Sequence, residues 1–311
     1  MPDPFTPSRR DVLRSLGLVS LGSPWLARTA ALAAPADLLR KPIPATGEAI
    51  PAIGMGTWLT FDIGEDTAAL DTRVEVLETF FRMGGGMVDS SPMYGSAEAV
   101  MGRCLERVPD AGSLFSATKV WTMTRWLGIS QMEASEELWG ETQFDLMQIH
   151  NLLDWEAHLE TLLEWKAAGR VRYIGITTSH GRRHEKLLAI MERHPIDFVQ
   201  LTYNITDREA EARLLPLAAE RGQAVIANRP FQRGALLNRL AAKPLPGWAA
   251  EINCANWPQF LLKFIVSHPA ITCAIPATSR PDHMAENMGA LSGRLPDASE
   301  REKMLEFVRE L

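Results

Sequence analysis

Three cysteines, Cys104, Cys254 and Cys273, are scattered through 311 residues. No two have zinc-ligand spacing, and an odd number cannot close a complete set of disulfides. Positive charge is also short. With 32 Lys and Arg against 38 Asp and Glu the formal net charge is −6. No excess of cations is left to neutralise phosphates, which argues against a general nucleic-acid binder. No Gly-x-Gly-x-x-Gly run follows the first expected strand, and no metal-binding cluster or carboxylate pair gathers at the strand ends. A barrel hydrolase or lyase would need one of the latter two. What is present is ordinary globular composition, 46% hydrophobic and 23% charged, long enough to bury a large core in one domain or two.

The first 33 residues read as an address rather than as fold. Arg9-Arg10 precede a modestly apolar stretch, and Ala31-Leu32-Ala33 fits a small-x-small cleavage site. The segment resembles a twin-arginine export signal, which a receptor reads. A chance Arg pair and an uncleaved anchor are the alternatives. Gly17, Gly22, Pro24 and Arg28 interrupt the run, so no clean stretch of ~20 apolar residues is available for a spanning helix. The expectation is a bacterial, periplasmic or otherwise exported protein. It has a signal over 1–33, a mature domain over 34–311, the twin-arginine translocon as a passing partner and no stable membrane anchor.

From Ile50 onward short apolar runs alternate with amphipathic stretches. Leu70, Val74, Leu77 and Phe81 recur at helical spacing, with Gly84 where a C-terminal cap belongs. Ser96 is placed to cap the next helix, with Glu98 in its first turn. Eight strands separated by helices follow, each a short apolar run as buried parallel strands require. The pattern predicts an α/β fold, a closed (β/α)8 barrel. An open doubly wound sheet uses the same units, but lacks support here without the glycine fingerprint. A hairpin around Thr46-Gly47 precedes the barrel and is placed to close its bottom. A longer connection carries Pro244, Pro246 and Gly247, and an extra helix ends the chain.

The chemistry of such barrels gathers where strands end. The second strand ends at Asp89, with Tyr94 in the loop after it; the third ends at Lys119 and the fourth at His150. Alone, each has a plain explanation: a turn cap, a loop aromatic, a snorkelling lysine, a satisfied histidine. Together, at consecutive strand ends, they form an acid set. A Tyr is a poor acid at neutral pH, a nearby ammonium is expected to lower its pKa, and Asp89 can hold that ammonium in place. His150 can orient a carbonyl oxygen beside the Tyr94 hydroxyl.

The segments GMGTW, VDSSPMYG, ATKVW and MQIHN resemble those of the aldo-keto reductases, from about Lys41 to about Leu291. The resemblance implies a barrel that binds nicotinamide without a Rossmann fold. It makes Tyr94 the general acid, Lys119 its tuner, Asp89 the partner of Lys119, and His150 the carbonyl-positioning group. It implies reduction of an aldehyde or ketone, or the reverse.

The resemblance also assigns cofactor contacts to Thr57 and Trp58, to Thr177 and Thr178, and to Gln200. Thr178 departs from the family's usual amide. Where the family has Tyr-Ser-Pro, this chain has Asn228-Arg229-Pro230-Phe231. Asn228 offers no aromatic face, and Phe231 or Tyr203 is the candidate replacement. Arg229 and Gly234 fall where the family loop folds over the pyrophosphate. Thr278, Ser279, Arg280, His283, Glu286 and Asn287 fall in the adenosine-phosphate segment. Arg280 is expected to take the 2′-phosphate, favouring NADPH over NADH. Trp58, Met93, Trp121, Asn151 and Leu152 are expected to line an apolar substrate slot, open because the loop after the fourth strand is short. A nicotinamide-binding sensor with little turnover is the competing function. Export leaves cofactor supply to retention in place or to an unknown redox partner.

Overall fold

The computed structural model describes residues 38–311. The export-signal expectation lies outside them. A hairpin comes first: β1 (Arg40–Pro42) pairs antiparallel with β2 (Ala49–Pro51). Gly47 takes φ +77° in the turn between them, a conformation open to glycine. Tyr173 donates from its hydroxyl to Glu48 at 2.7 Å and contacts Thr46 Oγ1 at 2.8 Å. These bonds fasten the turn to the barrel.

Eight parallel strands follow in sequence order: β3 (Met55–Gly56), β4 (Met87–Asp89), β5 (Phe115–Val120), β6 (Phe144–Ile149), β7 (Val171–Thr177), β8 (Phe198–Thr202), β9 (Ala224–Asn228) and β10 (Cys273–Ala274). Bridges Ile53–Ala274 and Gly56–Ala277 bring the last strand back to the first. The sheet is thus a nearly closed barrel, as expected. Gly54 makes that seam possible, since a Cβ there would stand 2.8 Å from the Met87 carbonyl oxygen and 3.1 Å from Cys273 Sγ.

The helices are α1 (Thr67–Arg82), α2 (Ala97–Leu105), α3 (Arg125–Trp139), α4 (Trp155–Ala167), α5 (His184–Arg193), α6 (Leu214–Arg221), α7 (Ala235–Leu240), α8 (Trp257–Val266), α9 (Pro281–Met288) and α10 (Ala298–Arg309). Leu70, Val74, Leu77 and Phe81 of α1 are buried, so the helical spacing faces the sheet as read. Ser96 makes no side-chain cap on α2. Its hydroxyl donates to Asp62 and accepts from the Gly64 amide instead.

Strand residues alternate between the two faces of the sheet. Met87, Phe115, Leu146, Tyr173, Phe198, Ala224, Ile226 and Cys273 form one apolar cluster, joined by Ile43 and Ile50 of the hairpin segment. A second, larger cluster packs the outer face of the strands against the helices. Further along β4, β5, β6 and β8, two residues on or four in β5, the same alternation brings Asp89, Lys119, Gln148 and Gln200, all buried. The interior therefore changes from apolar to polar along its axis, toward the ends where the strands finish.

Candidate active site

Asp89 is the last residue of β4, and Lys119 is the penultimate residue of β5. Lys119 Nζ donates to Asp89 Oδ2 at 2.6 Å and to the Ser90 carbonyl at 2.6 Å, with both ionic side chains almost wholly buried. Burial pushes the ammonium's pKa down and the Asp89 charge and hydrogen bond oppose it. A buried pair of this kind is tolerable only when its remaining polar atoms are also satisfied. They are: Asp89 Oδ1 accepts from Gln148 Nε2 and from Gln200 Nε2, each at 2.9 Å.

The ammonium lies 5.3 Å from the centre of the Tyr94 ring. The Tyr94 and His150 rings meet edge-on with centroids 5.6 Å apart. All four side chains expected at the strand ends therefore converge. The tuning of Tyr94 differs from the expectation. Its phenol is held above the ordinary value, first by burial and next by the Asp89 carboxylate, with Arg229 acting against both. The Lys119 ammonium stands beside the ring, held there by Asp89 at 2.6 Å.

His150 follows β6 directly. Burial first, and then the Lys119 charge, push its imidazole down to about 2, so the ring is neutral. Its Nδ1 is 2.8 Å from Ser91 Oγ, which also accepts the Met93 amide at 3.2 Å. When Ser91 donates to Nδ1, the ring's other nitrogen carries the proton.

Thr57, Thr177 and Asn228 are tied into the scaffold. Thr57 Oγ1 donates to Ser90 Oγ at 2.8 Å, and Thr177 Oγ1 accepts from the Asn151 amide at 3.0 Å. Asn228 donates to the Thr178 carbonyl at 3.0 Å and to Gln200 Oε1 at 3.3 Å, and accepts from Thr202. Thr178 Oγ1 is buried with no partner among the described residues.

Neither aromatic suggested in place of the stacking ring faces the site. Tyr203 is fully buried against Phe264, and its hydroxyl pairs with Glu211 and Arg301. Phe231 is buried in the apolar layer between strands and helices, as is Leu152, which was expected at the substrate slot. Pro230 is buried beside Phe231. Trp58 remains at the mouth, with the Arg233 guanidinium 4.4 Å from its ring centre. Met93 and Trp121 are each 40% exposed, and Asn151 is held by Ser179 Oγ at 3.1 Å.

The loop after β9 carries positive φ at Arg229, Gln232, Arg233 and Gly234. Non-glycine residues adopt this conformation at a cost, and such strain gathers at ligand clamps. Arg229 is half-buried and its charge reaches Tyr94. Thr278 Oγ1 accepts the Arg280 amide, and the Ser279 carbonyl accepts from Arg73. On α9, His283 is exposed, Glu286 half-buried and Asn287 buried. Arg280, the residue expected to take the 2′-phosphate, is exposed and paired. Its guanidinium grips Asp282 with two hydrogen bonds, one of them at 3.0 Å. Ser91, Gln148 and Arg233 are site residues that the sequence reading passed over.

A family model described as Aldo/keto reductase family matches residues 52–302. Methylglyoxal reductase YeaE of Escherichia coli is 26% identical over 254 residues, covering 80% of this chain and 88% of that protein. The NADH-specific methylglyoxal reductase of the same organism is 24% identical, covering 83% and 94%. An aldo/keto reductase structure from Klebsiella pneumoniae, in complex with NADP and acetate, superposes with TM-score 0.66 at 23% identity. That match covers 84% of this chain and 93% of the other.

Proposed function

Because the chain belongs to the aldo/keto reductase family, we propose that it reduces a small aldehyde or ketone with NADPH or NADH, Tyr94 serving as general acid. The convergence of Tyr94, Lys119, Asp89 and His150 at three neighbouring strand ends carries this reading. The residues present suit a nicotinamide dinucleotide. Thr178 Oγ1 is a buried polar atom in want of a partner among the described residues, and Arg229 and Arg233 supply cations on a strained loop.

When bound, the reduced nicotinamide supplies the hydride. Tyr94, held protonated by burial and by Asp89, keeps its proton until negative charge develops on the carbonyl oxygen, and then donates it. The Lys119 ammonium steadies the phenolate that remains. Neutral His150, with Ser91 on Nδ1, turns its Nε2–H toward the same oxygen. Gln200 and Thr178 hold the carboxamide, Arg229 and Arg233 the pyrophosphate, and Trp58, Met93 and Trp121 border the substrate.

The Arg280–Asp282 pair is exposed, and such pairs contribute little to stability. A 2′-phosphate can displace Asp282, but its charge opposes the phosphate. We therefore propose weak discrimination, NADPH over NADH by less than about tenfold. Methylglyoxal, the substrate in the names of two relatives, is the first carbonyl compound to try. We also propose export by the twin-arginine route as a mature chain over 34–311.

Steady-state turnover of methylglyoxal with each cofactor tests the reading. Tyr94→Phe is expected to lower kcat by about 10³, the scale of general acid catalysis, with cofactor affinity kept. Unchanged turnover in Tyr94→Phe removes Tyr94 from the acid role. No turnover in the native protein with either cofactor counts against the reductase.

A further inference from the structure

We infer that Gln148 is a positioning residue. Its amide holds the Asp89 carboxylate aimed at Lys119, and through that pair it fixes the ammonium beside Tyr94. The role rests on the proposed reductase chemistry, whereas the geometry stands by itself.

Gln148 lies in β6, in register with Lys119 of β5, and its side chain is fully buried. A glutamine there needs partners for its amide nitrogen and its oxygen. It finds both within the polar interior. Its Nε2 donates to Asp89 Oδ1 at 2.9 Å, and its Oε1 accepts from Gln200 Nε2 at 3.2 Å. Gln200 gives its second bond to the same Asp89 oxygen at 2.9 Å. The three side chains close a triangle on Oδ1 and leave Oδ2 to Lys119 alone. Gln200 Oε1 in turn accepts from Asn228, which carries the network to the strand end where the cofactor is proposed to lie.

Space is reserved for this arrangement. Gly175, opposite Gln148 in β7, would place a Cβ 3.0 Å from Gln148 Cγ and 3.0 Å from the Phe198 carbonyl oxygen. An alanine there would crowd the glutamine. Two N–H donors on one carboxylate oxygen fix the side chain's orientation, and the amide adds no charge of its own that could reach Tyr94. A second carboxylate or a lysine would hold Asp89 less neutrally.

The test uses the full mature chain and the variant Gln148→Met, which keeps volume and removes the donor. Melting temperature and the separate constants kcat and KM with methylglyoxal are measured. Loss of one donor is expected to lower kcat about tenfold, with KM and cofactor affinity kept, and to lower the melting temperature by a few degrees. A loss that falls on KM rather than on kcat would make Gln148 a space-filling residue and overturn the inference, as would an unchanged variant. If native protein shows no turnover, the reductase reading fails while the melting data still decide the inference. If Gln148→Met does not fold, Gln148→Asn, which keeps an amide but withdraws its reach, is held to the same two readouts.

Discussion

Ser91 Oγ stands between the Met93 amide and His150 Nδ1, and so one hydroxyl decides which ring nitrogen faces a substrate. Removing it in Ser91→Ala leaves His150 neutral but frees its tautomer and its rotation. Steady-state kinetics are expected to show kcat/KM for the carbonyl compound reduced about tenfold, the scale of one lost hydrogen bond, with no change in cofactor Kd. The four strand-end side chains were legible in the sequence because each closes or follows an apolar run, where a charged or phenolic group stands out. Ser91 and Gln148 were not. A serine in a loop carries no signature, and Gln148 sits inside MQIHN, where attention falls on His150. The alternation Leu146–Gln148–His150 did place all three on one face. The pairing of Arg280 was not legible either. Its partner Asp282 is two residues away, across the start of α9, and so short a contact has no periodic signature.

Elements with long periodic faces were legible, as α1 illustrates, while α7, at six residues, is too short for a period to declare itself and fell inside what read as a connection. The last strand is only Cys273–Ala274, because its pairing partner across the seam is itself short. Glu98 was read only as a residue of the first turn of its helix. It is buried, accepts from Thr118 at 2.5 Å and from Ser135 at 3.0 Å, and so joins α2 to β5 and α3. The same two helices meet closely at Gly102, where an added Cβ would overlap the Leu138 carbonyl. Helix propensity alone favours alanine over glycine by ~1 kcal/mol. Here the backbone contact decides the sign, since two helices must part to admit a methyl group. Gly102→Ala is expected to destabilise the fold by about 1–3 kcal/mol, the usual cost of overpacking, measurable by denaturant unfolding. A stabilised variant would show that the helices separate freely.

The whole molecule carries two imidazoles that the fold keeps neutral. Burial and then Arg301 lower His268 to about 4, and His150 lies lower still. The unfolded chain binds protons at these histidines as pH falls below ~6.5, whereas the folded chain does not. Stability is therefore intact at neutral pH and declines below ~6.5, down to about 4 for His268 and to about 2 for His150. The melting temperature is expected to drop by several degrees between about pH 7 and pH 4.5, and His268→Gln to recover part of that slope. A slope identical in the variant would assign the loss to carboxylates alone. The barrel's closure has its own consequence. Most of the ring is held by strands of five to seven residues, but β3 and β10 have two each, and a few bonds such as Gly54 N–H to Ala274 O at 2.9 Å and Gly56 N–H to Pro276 O at 3.0 Å join them. A ring with one thin joint opens there first. Amide hydrogens of Gly54, Gly56 and Ala274 are expected to exchange with deuterium well before those of β6 and β7, through local opening rather than global unfolding. Thr57 and Trp58 lie beside that joint, so the wall next to the proposed cofactor site is also the part of the barrel that breathes most.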